Sequence, residues 1–111
     1  MFRFPAAFTS MHRFPCGPLT DAATRWFRYT PQKSDPTSGF SLASPPGDDW
    51  VIEIFSGACG SLVSLGCSNG GPGDTPISRV SFNGVAGQTY VLAVGRISGV
   101  STTNPQIDLT D

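Results

Sequence analysis

Long apolar runs are missing from this 111-residue chain. No stretch approaches the ~20 residues that a membrane-crossing helix needs, so no helical span of a bilayer is expected. Charge is scarce as well: charged residues make up 14% of the chain and the net charge is -1. The basic residues are scattered, so no basic stripe exists to neutralise phosphates or anionic lipid, and nucleic acid is not an expected partner. Histidine occurs once, as His12, in a segment without regular periodicity. No nucleophile-elbow phrase surrounds any serine, so a Ser-His-Asp system has nothing to assemble from, and the chain is not expected to be an enzyme. The lone histidine and the absence of CxxC spacing argue against zinc. Helical period is absent from every segment.

Turn formers and short alternating segments are what the chain has. Gly 13 and Pro 10 go with a surface built from Ser, Thr, Asn and Gln, a profile of turn-rich all-β domains. Strands are expected in RWFRYT from Arg25, in Gly39 to Ala43, in the run Trp50 to Phe55, in Leu62 to Cys67, around Val80 and Phe82, in Tyr90 to Val94 and around Ile107 and Leu109. Within them Trp50, Ile52 and Ile54 share one face with a core, as do Tyr90, Leu92 and Val94. Glu53 is expected to point outward or lie near an edge. Trp26, in phase with Arg28, is expected to be the exposed ring. The fold class that follows is all-β, an antiparallel two-layer β-sandwich, jelly-roll-like, of seven or eight short strands at residues 25–111.

Residues 1–24 read differently. FRFP at 2–5 is echoed by HRFP at 12–15, and Pro5, Pro15 and Pro18 forbid a regular helix. Phe2, Phe4, Phe8 and Phe14 are too apolar for a solvated tail, so an extended arm is expected to lie on its own sandwich or on a neighbouring molecule. Pro5, Thr9 and Ser10 break any signal-peptide core, so no export signal is expected in this segment.

Cys59 and Cys67 bracket GSLVSLG, a spacing at which two neighbouring strand ends meet at disulfide distance. Closing so short a loop would restrict the unfolded chain by about 2 to 3 kcal/mol. Cys16 is left over, to be buried, to pair with another chain, or to have lost a partner. Small turn-rich domains with paired cysteines are usually extracytoplasmic, which points to an extracellular or cell-surface location.

The order RWFRYT, GFSLAS, DDWVIEIFSGACG, SLVSLGCSNG, SRVSFNGVAGQTYVLAVG and QIDLTD resembles the bacterial pre-peptidase C-terminal domain, a jelly-roll-like β-sandwich appended to exported proteins. Trp26, Phe27, Arg28 and Tyr29 match its opening aromatic phrase. Asp49 with Phe55, Ser56 and Gly57 matches its acidic residue and aromatic-Ser-Gly, and Gly87, Thr89 and Tyr90 match its G-x-T-Y. The chain departs from that pattern in SLASPPG, which has no cysteine, and after Cys67, where Ser68-Asn69-Gly70 replaces an acidic pair. The resemblance implies a noncatalytic accessory or binding module whose partner is an extracellular polymer such as collagen or a polysaccharide. Trp26 and Arg28 are the candidate contacts.

No cofactor is required by this reading. Calcium is the one ion the loops could take, through Asp48, Asp49, Asn69 and Asp74 with backbone carbonyls. The alternative function is a self-assembling surface or filament subunit, in which Phe2, Phe4, Phe8, Phe14 and Cys16 of one copy dock onto the next by strand addition.

Overall fold

The computed structural model describes residues 8–12, 14–16, 22–44, 49–57, 61–69, 77–98 and 105–110. Eight strands follow one another: β1 (Phe8–His12), β2 (Ala22–Tyr29), β3 (Asp35–Ala43), β4 (Asp49–Ser56), β5 (Val63–Ser68), β6 (Ile77–Gly84), β7 (Tyr90–Ser98) and β8 (Gln106–Thr110). They form two antiparallel sheets, one of five strands in the order β1-β2-β7-β4-β5 and one of three in the order β6-β3-β8. The chain is therefore a β-sandwich, as the alternation predicts. Only β1 to β2 and β4 to β5 connect neighbours within a sheet; every other connection crosses between the layers.

Burial patterns explain why each segment is written as it is. β6, ISRVSFNG, buries every second residue, because one face meets the core and the other meets solvent. β4, DWVIEIFS, is buried from Trp50 through Phe55 on both faces. Its near-continuous apolar run fits a central strand covered on both sides, and β7, next to it, reads VLAV for the same reason. Between the sheets lies the larger core, with Trp50, Ile52 and Ile54 of β4 and Tyr90, Leu92 and Val94 of β7 against Phe40, Leu42, Val80 and Phe82 of the smaller sheet. The phase assigned to these residues from sequence holds. Phe40 and Phe82 stack at 5.9 Å between centroids.

Two details shape the end of the sandwich where β2 gives way to β3. Pro36 sits inside β3 although it has no ladder donor, because the register shifts between Asp35 and Ser38 and the bulge leaves it unpaired. Asp35 closes the bulge: its Oδ1 accepts from the Thr37 amide at 2.8 Å and the Thr37 hydroxyl at 2.7 Å. Beside it, the connection after Asn83-Gly84 arches from one sheet to the other, with Gly87 at φ 82° where a side chain would strain the backbone. The Tyr90 hydroxyl staples this arch by accepting from Val85 N at 2.9 Å and donating to Asn83 O at 3.0 Å.

The boundary expected at residue 24 falls within β2. β1 pairs with β2 from Phe8 opposite Trp26 to His12 opposite Ala22, and Phe14 is 2% exposed. Residues 8–12 and 14–16 are a part of the sandwich. Of the two places offered for the arm, its own sandwich is the one these residues occupy.

Candidate functional site

After β1 the chain crosses the outer face of the five-stranded sheet, from its first strand to its last. His12 reaches Glu53 on β4, and Cys16 reaches Cys67 on β5. Beneath this strap Phe14 packs with Trp26, Val51, Phe55, Val91 and Ala93 in a second apolar cluster. Burying Phe14 alone is worth roughly 1.5 to 3 kcal/mol. Trp26 is 7% exposed, so the ring expected to face solvent is covered. Alternation does put it on the face away from the main core; the strap then covers that face. Arg28, further along β2, is exposed as expected.

The disulfide is a further correction. Cys67 bonds to Cys16, with Cα atoms 5.8 Å apart and a sequence separation of 51. The expected partner, Cys59, lies outside the described residues, and with Cys67 committed to Cys16 the Cys59 to Cys67 link does not form. The route of the strap, rather than proximity along the chain, brings the two sulfurs together. Closing a loop of this size restricts the unfolded chain by about 4 kcal/mol on the chain-entropy account.

At the centre of the strap's footprint is a polar node. Glu53 is 2% exposed, where the expectation was an outward or edge position. His12 Nε2 donates to Glu53 Oε1 at 2.8 Å, and Ser64 Oγ donates to Glu53 Oε2 at 2.6 Å. Both carboxyl oxygens are thus satisfied in a site walled by rings, with His12 edge-on to Phe14 at 4.6 Å and to Trp26 at 5.0 Å. A β-bulge makes this possible. Glu53 lies opposite Cys67 and Phe55 opposite Ser64, with the register shifting between Ile54 and Phe55. Residues three apart would face opposite ways on a regular strand; the extra residue turns both Ser64 and Cys67 to the outer face. Neither Glu53 nor Ser64 was singled out from sequence as a site residue, and Gly66, a glycine inside a strand pattern, was the available signal of the bulge.

The order of groups decides the node's chemistry. In a nucleophile–base pair the serine donates to the imidazole, which a carboxylate orients from behind. Here the glutamate stands between the other two and accepts a hydrogen bond from each. The arrangement cross-braces β1, β4 and β5.

Of the candidate calcium ligands, Asp48 and Asp74 lie outside the described residues. Asp49 opens β4 and Asn69 follows β5, at the same end of two neighbouring strands. Asp49 Oδ1 is buried without a hydrogen-bond partner, and desolvation holds this carboxyl above its ordinary range. No group of three or more His, Cys, Asp or Glu that could hold a metal occurs among the described residues. Of the residues expected to mediate self-association, Phe14 and Cys16 are engaged within their own chain, Phe8 is paired through its backbone to β2, and Phe2 and Phe4 lie outside the described residues.

The opposite end of β2 is open. A cleft of about 710 Å³ is lined by Tyr29, Thr30, Gln32, Lys33, Ser34, Asp35 and Leu109. Its size falls within the range of small-ligand sites. The two hydrogen bonds from Thr37, backbone first, hold the Asp35 carboxyl below its ordinary range.

No family model, no curated protein and no solved structure matches this chain.

Proposed function

We propose that this chain is a noncatalytic module of the extracellular space or cell surface that holds an extracellular polymer. The observation that carries this reading is the Cys16–Cys67 disulfide, which straps the outer face shut. Such a bond forms and persists in oxidising compartments and is rare where thiols are kept reduced. The only histidine is spent on bracing Glu53, which suits a structural use of the one side chain best fitted to general-base work. The motif order shared with the pre-peptidase C-terminal domain supports the same reading.

Retention of the purified chain on chitin, cellulose or collagen is the test. Binding to at least one, with the disulfide mapped to Cys16 and Cys67 by nonreducing peptide mass analysis, is expected. Retention on none would remove the polymer-holding role.

A second reading, association between copies, is favoured by β5. This edge strand exposes Val63 at 60% and Leu65 at 41%, and exposed apolar side chains on an edge strand invite pairing with another chain. On this reading the contact runs through β5, with Phe14 buried and Cys16 disulfide-bonded within each copy. A sedimentation profile that is monomeric at all concentrations, and unmoved by Val63→Lys with Leu65→Lys, would dismiss it.

A further inference from the structure

The cleft at the end of β2 is the feature that the strap, the core and the disulfide leave unexplained. Its wall is the loop from Thr30 to Asp35, and that loop is held from behind by the arch between β6 and β7. Gly87 N donates to Pro31 O at 3.0 Å, and Ala86 N donates to Ser34 Oγ at 2.9 Å. The Thr30 and Thr89 hydroxyls meet at 3.4 Å. Pro31, buried and fixed in φ, stiffens the loop further. Polar groups on a surface loop ordinarily lose conformational freedom when they engage a ligand; here the backbone that carries them is already pinned.

The lining narrows the ligand class. One cation, Lys33, and one anion, Asp35, stand on the same loop, so the site has no net charge to offer a polyanion or a polycation. Both hydrogen bonds that the Asp35 carboxylate accepts fall on Oδ1, which leaves Oδ2 its acceptor capacity. Ser34 Oγ, having accepted from Ala86, keeps its own proton to donate. Gln32 offers both a donor and an acceptor. Tyr29 and Leu109 add an aromatic ring and an aliphatic side chain, the complement of a ring with C–H faces. Closely spaced donors and acceptors beside apolar patches, with zero net charge, match a neutral molecule dense in hydroxyl groups.

We propose that the cleft lined by Tyr29, Gln32, Lys33, Ser34, Asp35 and Leu109 binds a neutral oligosaccharide segment. This rests on the polymer-holding reading and assigns it a place and a chemistry. The strap side of the molecule takes no part in binding; it keeps the other end of β2 in position.

Amide chemical shifts of the full chain, titrated separately with cellopentaose, chitopentaose and maltopentaose, test the assignment. At least one is expected to give saturable shifts centred on Tyr29, Gln32, Lys33 and Leu109. The double variant Gln32→Ala with Lys33→Ala changes two exposed side chains, so the fold stays intact, and it should weaken binding about tenfold or more. No saturable shift with any of the three, shifts centred elsewhere, or equal affinity in the double variant would overturn the assignment. So would shifts at these residues with a collagen-like peptide alone. The two readings separate on polymer retention: a parent chain and double variant held equally well by a polymer remove the cleft and keep the module, whereas a parent chain held by none removes both.

Discussion

The two faces of the five-stranded sheet are both buried, yet by different means. On the inner face, Ile52, Ile54, Leu92 and Val94 meet a second sheet, and interdigitated side chains account for the contact. On the outer face, among the described residues, Val51, Phe55, Val91 and Ala93 meet a crossing segment anchored by a buried phenylalanine, a His12–Glu53–Ser64 node and a disulfide. A sheet brings many apolar contacts and its own hydrogen-bond ladder. A strap brings few, so covalent and polar anchors stand in for the missing area.

The difference can be broken open by substitution. The largest effect is expected inside: Leu92→Ala, at a fully buried position, should cost about 4 to 5 kcal/mol by urea denaturation and lower the stability of all strands together. Next, Cys16→Ser with Cys67→Ser should cost about 4 kcal/mol at most. Hydrogen exchange should then rise first in β1 while β7 stays protected, because the strap alone is freed. Equal loss of protection in β1 and β7 would show that the two faces stand or fall as one.

Smaller is His12→Ala, which leaves one oxygen of a buried glutamate without its donor and should cost about 2 kcal/mol. Adding Glu53→Leu should recover part of that loss, since well-packed apolar groups often replace a buried polar pair at little cost. A further loss instead would mean that the node holds the outer face through Glu53 itself.

The smallest effect concerns Asp49. Its carboxyl is raised by burial, so ionisation weighs against the folded state: the penalty is absent below the ordinary carboxyl range near ~4 and complete above the raised folded value. Asp49→Asn should therefore raise Tm at pH 7, with the gain fading as pH falls towards ~3. A gain that persists at acid pH would point to a cause other than desolvation. Asp35, held low by Thr37, has the opposite sign, its contribution being present at neutral pH and lost on acidification.

The inner face was legible because period-two alternation is its signature: ISRVSFNG and the phases of Trp50 and Tyr90 map directly onto one sheet packed on another. The outer face was legible only in part. WVIEIF is too continuously apolar for a strand wetted on one side, yet alternation alone treats the side of Trp26 and Glu53 as solvent. Among the described residues, what covers that side arrives with His12, Phe14 and Cys16, in an irregular, proline-broken stretch that has no period from which to read a docking place. The disulfide was misread for a related reason: Cys59 and Cys67 are close in sequence, but a strap crossing a whole sheet obeys no spacing rule. The cleft left still less trace, because Thr30 to Ser34 looks like any polar turn until its bracing by the arch at Ala86 and Gly87 is known.

The position of β7 has a consequence for how the oxidised chain refolds. It lies between β2 and β4, so without β7 the larger sheet consists of two hairpins, β1–β2 and β4–β5, with no strand between them. Cys16 belongs to the connection within one hairpin and Cys67 to the other, so their bond ties the two hairpins together independently of β7. Insertion of β7 then becomes a local search between tethered walls rather than a three-body encounter, which lightens the entropic delay that non-local strand pairing imposes on all-β chains.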